Sequence, residues 1–137
     1  MAVIDASGLV VGRLASIVAR RLLDGEDIII VNAEKALITG DRKDILAEFK
    51  WRREVGSTSK GPYYPRRPDR ILQRAIRGMV PHKRPRGKTA MKKLKVYVAV
   101  PPEFKDKKME KIQEASHVRT ASFLSLGEIS KSLGGEF

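Results

Sequence analysis

Four consecutive β-branched residues, Ile28-Ile29-Ile30-Val31, constrain the fold more than any other stretch of this chain. The run is bounded by Asp27 and Asn32 and contains no polar alternation. A strand of that kind has to be covered on both faces, which is the mark of a parallel sheet. What precedes it fits. Ala2-Val3-Ile4-Asp5-Ala6 is a short apolar run ending in Ser7-Gly8, and it reads as a buried strand entering a turn. Arg13 to Leu23 carries Leu14, Ile17, Val18 and Leu22 at spacings of three and four and stops at Asp24-Gly25, which predicts a helix. Arg13 and Arg20 fall on its opposite face, and Arg21 lies nearer the apolar side. Strand, helix and strand within about thirty residues form a βαβ unit with a right-handed crossover. The expected class is therefore α/β. With 137 residues, 42% of them apolar, the chain 1–137 is expected to form a single domain around one core.

The remaining elements are read the same way. Ala36-Leu37-Ile38-Thr39 predicts a short strand before Gly40. Asp41, with Asp44 three residues on, predicts the start of a helix running to about Val55, with Ile45, Leu46 and Phe49 inward. Pro68-Asp69 opens another helix. Its apolar positions are Ile71, Leu72, Ala75, Ile76 and Met79, and its basic ones are Arg67, Arg70, Arg74 and Arg77, so two opposite stripes share one helix. Gly78 and Pro81 bracket its end, and His82 to Lys93 is expected to be a basic loop. Val96-Tyr97-Val98-Ala99-Val100 predicts a strand stopped by Pro101-Pro102. A charged, weakly amphipathic stretch follows around Phe104 to Glu114. The last predicted helix has Ser125 as cap, Glu128 three on, and Gly134-Gly135 as stop.

Charge narrows the function. The formal charge is +12, from 28 Lys and Arg against 16 Asp and Glu. Between Lys60 and Lys95 there are 13 bases and one acid, Asp69, so that segment carries 13 − 1 = +12 and the rest of the chain is neutral. A surface charged for solubility intersperses both signs. A concentrated block is the electrostatic footprint of nucleic-acid binding, and a solvated basic loop is the plainer alternative. The block also holds aromatic, Pro and Gly residues: Gly56 to Pro68 contains Lys60, Tyr63, Tyr64, Arg66 and Arg67 and reads as a loop that orders on binding. There is no cysteine, which removes disulfides, thiol catalysis and thiolate metal sites. His82 and His117 are the two histidines, too few for a zinc site without carboxylates. The longest apolar run is the five residues Val96 to Val100, far short of a helical membrane span, and the opening MAVIDASG lacks the basic region of a secretory signal. No cofactor, metal or small-molecule substrate is expected, and the expected location is the cytoplasm.

Local motifs add little chemistry. Gly8-Leu9-Val10-Val11-Gly12-Arg13 follows a strand and opens a helix, but its spacing is neither a Walker loop nor GxGxxG. It reads as a tight turn, from which Arg13 can still reach a phosphate. A basic α/β enzyme acting on RNA is the rival class. Its candidates are Asp5, at the carboxyl end of the first strand, and His82, with no defined spacing between them. Asp5 fits a local cap or pair better, and no catalytic residue is assigned. Tyr63 and Tyr64 fit base stacking and loop packing equally, whereas Trp51 is expected to pack. Met79 and Met91 read as core filler.

Taken in order along the chain, these residues resemble a family. Arg77-Gly78-Met79-Val80-Pro81 with the following basic loop, ending at Lys95-Val96-Tyr97, resembles the signature of the universal large-ribosomal-subunit proteins numbered thirteen. So do the opening Val-Ile-Asp-Ala-x-Gly, Gly12-Arg13-Leu14-Ala15, Val31-Asn32-Ala33-Glu34-Lys35 and Thr39-Gly40. Leu126-Gly127-Glu128-Ile129 is similar to the archaeal and eukaryotic branch. The resemblance implies a three-layer α/β/α fold around a small, mainly parallel sheet, with the basic helix and loops on one side. It implies a structural and assembly role on large-subunit rRNA beside neighbouring large-subunit proteins, without catalysis. The RNA-facing set it implies is Arg13, Arg66, Arg67, Arg70, Arg74, Arg77, Lys83, Arg84, Arg86 and Lys88. Lys60, Tyr63 and Tyr64 join that set from the composition of their loop.

Overall fold

A computed structural model describes residues 2–54, 64–116 and 122–135. The chain runs β1 (Ala2–Asp5), α1 (Val11–Leu23), β2 (Ile28–Val31), β3 (Leu37–Thr39), α2 (Arg42–Glu54), α3 (Pro68–Arg77), α4 (Pro85–Lys92), β4 (Leu94–Val96), β5 (Phe123–Ser125) and α5 (Leu126–Ser132). Strands β1, β2 and β4 form a parallel sheet in that order, with Ile4 beside Ile30 and Ile30 beside Val96. Strands β3 and β5 form a separate antiparallel pair.

The β-branched run occupies the centre of the parallel sheet, and its two faces go to two different cores. Ile28 and Ile30, with Ile4 of β1, join the larger core beneath α1, α3 and α5. Ile29 and Val31, with Val3, join a smaller core closed by Phe104, with Tyr97, Val100 and Met109 packed against it. All four residues of β2 are buried, and each contributes roughly 1.5–3 kcal/mol of apolar transfer. Among the described residues, the cover on the second face is a 3-10 turn at Pro102–Phe104 with the chain around it, and the five α-helices all contribute to the larger core or its margin.

Helix α1 buries Leu14, Val18 and Leu22, as its spacing predicts. Arg20 is exposed and Arg21 half-buried. The Arg21 guanidinium donates to Glu26 at 2.7 Å and to Glu110 at 3.0 Å, which joins the end of α1 to a segment almost ninety residues away. The hydrogen bonds it donates to Glu26, ahead of the cost of burial, hold that guanidinium protonated more firmly than usual. Helix α5 starts as its sequence predicts: the Ser125 hydroxyl accepts from the Glu128 N–H at 3.2 Å, and the Glu128 carboxylate accepts from the Ser125 N–H at 3.4 Å. The β3–β5 pairing brings this C-terminal unit against α3.

Four expectations need correction. The strand predicted at Val96–Val100 is instead Leu94–Val96. Tyr97 still donates to the Ile30 carbonyl, but Ala99 lies at φ 56°, in the left-handed region, and turns the chain out of the sheet. The predicted loop His82–Lys93 contains α4, with Pro85 at its first position. Met79 is 46% exposed rather than core. Helix α3 ends at Arg77, the following hydrogen bonds run from residue i to i−3, and Val80 takes the inward position. Trp51 does not pack and is 63% exposed on the outer face of α2.

Candidate nucleic-acid interface

The two stripes of α3 separate as predicted. Ile71, Leu72 and Ile76 are buried against the sheet side, and Arg70 and Arg77 are exposed on the other. Arg67 caps the helix in an extended conformation, and its Nε lies 3.3 Å from Asp69. Like charges at i, i+3 and i+4 work against a helix by roughly 0.2–0.5 kcal/mol per pair. Arg67, Arg70, Arg74 and Arg77 have that spacing, and burial of the apolar stripe outweighs it.

Arg74 differs from its neighbours. Its guanidinium lies over the Tyr64 ring at 4.6 Å from the centroid, while Arg52 of α2 lies 5.5 Å from the same centroid and donates to the Tyr64 hydroxyl at 3.2 Å. The buried Phe49 meets that ring edge-on at 5.9 Å. Tyr64 therefore ties the entry of α3 to α2 through aromatic and cation–π contacts, each worth about 0.5–1.5 kcal/mol. Glu48 pairs with Arg52 one turn back and steadies the arrangement. Arg70 and Arg77 have no ion-pair partner among the described residues.

A second basic element stands beside this helix. Helix α4 presents Arg86, Lys88 and Lys92 to solvent and contains no acid, and Lys83 and Arg84 are exposed ahead of it. Its placement depends on Gly87. A Cβ there would lie 1.9 Å from the Pro81 carbonyl oxygen, so only glycine lets the helix close onto the Pro81–His82 backbone. Its far end is tied by Lys93, whose ammonium donates to the Gly25 carbonyl just past α1 at 3.2 Å. Between α3 and α4 lies an open cleft of about 340 Å³ lined by Pro65, Arg70, Gln73, Arg74, Arg77 and Met91.

The structure thus brings Arg70, Arg74 and Arg77 together around one cleft and sets α4 beside it. Arg66 is exposed just before α3. Arg13 is half-buried in the first turn of α1, where its carbonyl accepts from the Ser16 hydroxyl. Lys60 and Tyr63 lie outside the described residues. Two contributors escaped the sequence reading. Helix α4 was hidden by its Pro, Gly and basic composition, although Pro85 at the first position and Gly87 and Ala90, three apart on the buried side, were its signals. Arg52 gave no local signal, because its partner Tyr64 is twelve residues away.

Asp5 has a structural explanation. Its Oδ1 accepts from the Ser7 N–H and from the Asn32 side-chain amide, both at 3.0 Å. Burial pushes its pKa up, and the hydrogen bonds from Ser7 and Asn32 outweigh it, so the carboxyl sits below its ordinary value. Asn32 itself is in the left-handed region at φ 57°, where Asn is tolerated, and starts the turn after β2.

Against known proteins, the family model for ribosomal protein L13 matches residues 1–103. The chain belongs to the ribosomal protein L13 family. It is 54% identical to the large ribosomal subunit protein uL13 of Methanosarcina barkeri, with all of both chains covered. The protein of the same name from Methanococcoides burtonii is 49% identical, again with both chains covered in full. That of Thermoplasma volcanium is 48% identical over 98% of this chain and 99% of its own. These archaeal relatives extend the likeness through Pro101–Thr120, where the sequence carries no firm pattern. The family is one of structural ribosomal proteins, and the enzyme reading of Asp5 and His82 is set aside on that ground.

Proposed function

We propose that the chain is a structural constituent of the large ribosomal subunit that binds and helps fold large-subunit rRNA with one face, made of α3, α4 and the turn between them. The observation that carries this reading is the placement of charge. The whole formal excess lies between Lys60 and Lys95, and the described part of that segment includes two helices on which Arg70, Arg77 and Arg86 are exposed and Arg74 is half-buried over Tyr64. Folded RNA crowds phosphates together, and arginine forks bind them bidentately where a lysine acts as a point charge. Arg70 and Arg77 are open to such pairing, Arg66, Lys83, Arg84, Arg86, Lys88 and Arg13 extend the proposed set, and Lys60 and Tyr63, outside the described residues, belong to it by the composition of their segment. Tyr64 serves the face by holding Arg74 and the start of α3 in place. Neighbouring subunit proteins and a cytoplasmic, ribosome-bound location follow from the same reading.

Co-sedimentation tests it. The chain is expected to travel with large subunits through a gradient at low salt and to be stripped as salt rises. A chain found free at every salt concentration contradicts the reading.

A further inference from the structure

Trp51 is the most exposed large apolar side chain among the described residues, at 63%. It is also the only tryptophan of the chain. Tryptophan is highly buried on average, so a bare indole calls for a partner. A helical side chain covers the turn before its own, and the positions there are Ala47 and Glu48. Ala47 is exposed and too small to cover a ring. At about 100° per residue, Lys43 and Lys50 fall on one flank of Trp51 and Arg52 on the other. Lys43 and Lys50 are exposed and have no ion-pair partner among the described residues. Of the acids near the ring, Glu48 is engaged by Arg52 and Asp44 stands two turns away. Helix α2 as a whole carries five bases against three acids. It is also continuous with the basic face: Arg52 donates to the Tyr64 hydroxyl at 3.2 Å, and Arg74 of α3 lies over the same ring.

We propose that Trp51 is a stacking platform for one unpaired base of the bound RNA, of any identity, and that it carries the interface beyond α3 and α4 onto the outer face of α2. The indole takes the face of the base, and Lys43 and Lys50 take the phosphates beside it. An open aromatic ring among cations is the composition of a single-strand binding surface, and stacking is tolerant of sequence because every base has a π-face. An apolar protein partner fits less well. It would cover Lys43 and Lys50 without supplying the counter-charge that phosphates bring. The platform also adds a property that phosphate contacts lack. Arginines on phosphates hold paired and unpaired RNA alike, whereas a ring can stack only on a base released from its helix. The inference rests on the RNA-interface reading and adds to it a preference for unpaired segments.

The test titrates the full chain with a single-stranded RNA dodecamer of mixed sequence and with the same strand annealed to its complement. Tryptophan fluorescence reports Trp51 alone, because there is no other tryptophan. The single strand is expected to quench it by stacking, and the duplex to leave it nearly unchanged. Trp51→Ala is expected to weaken single-strand binding by roughly 5- to 150-fold, the range of one base–aromatic stack, with duplex affinity and melting temperature unchanged. Trp51→Phe, which keeps a ring, is expected to recover part of the loss. Equal quenching by the two RNAs, or a single-strand affinity that Trp51→Ala leaves unchanged, overturns the proposal. If that unchanged affinity comes with poorer incorporation into large subunits, the ring serves a protein neighbour instead. The Arg70→Ala/Arg77→Ala pair separates this from failure of the underlying reading. If the pair weakens binding of both RNAs while Trp51→Ala weakens neither, the α3–α4 face stands and the platform falls. If neither variant changes either affinity, both readings fall.

Discussion

Gly87 shows how a single missing side chain positions a binding element. A methyl there would overlap the Pro81 carbonyl oxygen and carbon, at 1.9 and 2.2 Å, and backbone cannot swing aside as a flexible side chain can. Gly87→Ala is expected to lower stability by about 1–3 kcal/mol, the usual cost of overpacking, and to weaken RNA binding further by displacing α4. Urea unfolding and RNA titration of the same variant check both parts. Asp5 makes the complementary case for a carboxylate with a structural task. Its folded-state pKa lies below the ordinary 3.8, so its contribution is complete above that value and is lost as pH falls through the folded one. Asp5→Asn is therefore expected to cost about 1 kcal/mol near neutral pH, and the gap from the parent should close in acid. A gap that widens as pH falls would show that the carboxylate is destabilising.

At the scale of elements, α3 joins support to contact, and its two faces make separable predictions. Ile76 is fully buried, so Ile76→Ala is expected to cost roughly 2–5 kcal/mol while the folded fraction retains its affinity for RNA. Arg77→Ala should leave the melting temperature nearly unchanged and weaken binding. Arg74→Ala is expected to do some of each, because its guanidinium also lies over Tyr64. Paired thermal melts and RNA titrations distinguish the three. This helix was legible in the sequence because hydrophobic periodicity and charge periodicity agree there. The central strand was legible from four β-branched residues, and α5 from Ser125 and Glu128. Helix α4 was not, since proline, glycine and a run of bases are local signals for a loop, and the contact that overrides them is a long-range fit at Gly87. The end of β4 was hidden for a similar reason: an apolar run continues past Val96, but the backbone turns at Ala99, where the Glu34 carboxylate accepts its N–H at 2.8 Å. Trp51 and Met79 were misjudged because size and hydrophobicity do not by themselves put a residue inside.

For the whole molecule, the arrangement is a division of labour. A parallel sheet filled on both faces supplies a stiff support, and the C-terminal unit of β5 and α5 braces α3 from behind. The cationic segment shares in that support through Leu94 of β4 and the buried Ile71, Leu72 and Ile76 of α3, while most of its described bases are exposed. Such a surface gains affinity by releasing the counterions held by RNA, and the number of phosphates engaged appears directly in the salt dependence. The most direct test is a log–log plot of rRNA affinity against salt for the parent chain and for the Arg70→Ala/Arg77→Ala pair. With about 6–10 phosphates engaged, the parent is predicted to lose ~10³–10⁵-fold in affinity between 50 and 200 mM salt. The double variant is predicted to show a slope shallower by about two, one for each phosphate contact removed. A parent affinity flat across that range, or a slope the double variant leaves unchanged, would contradict the assignment of this face to RNA.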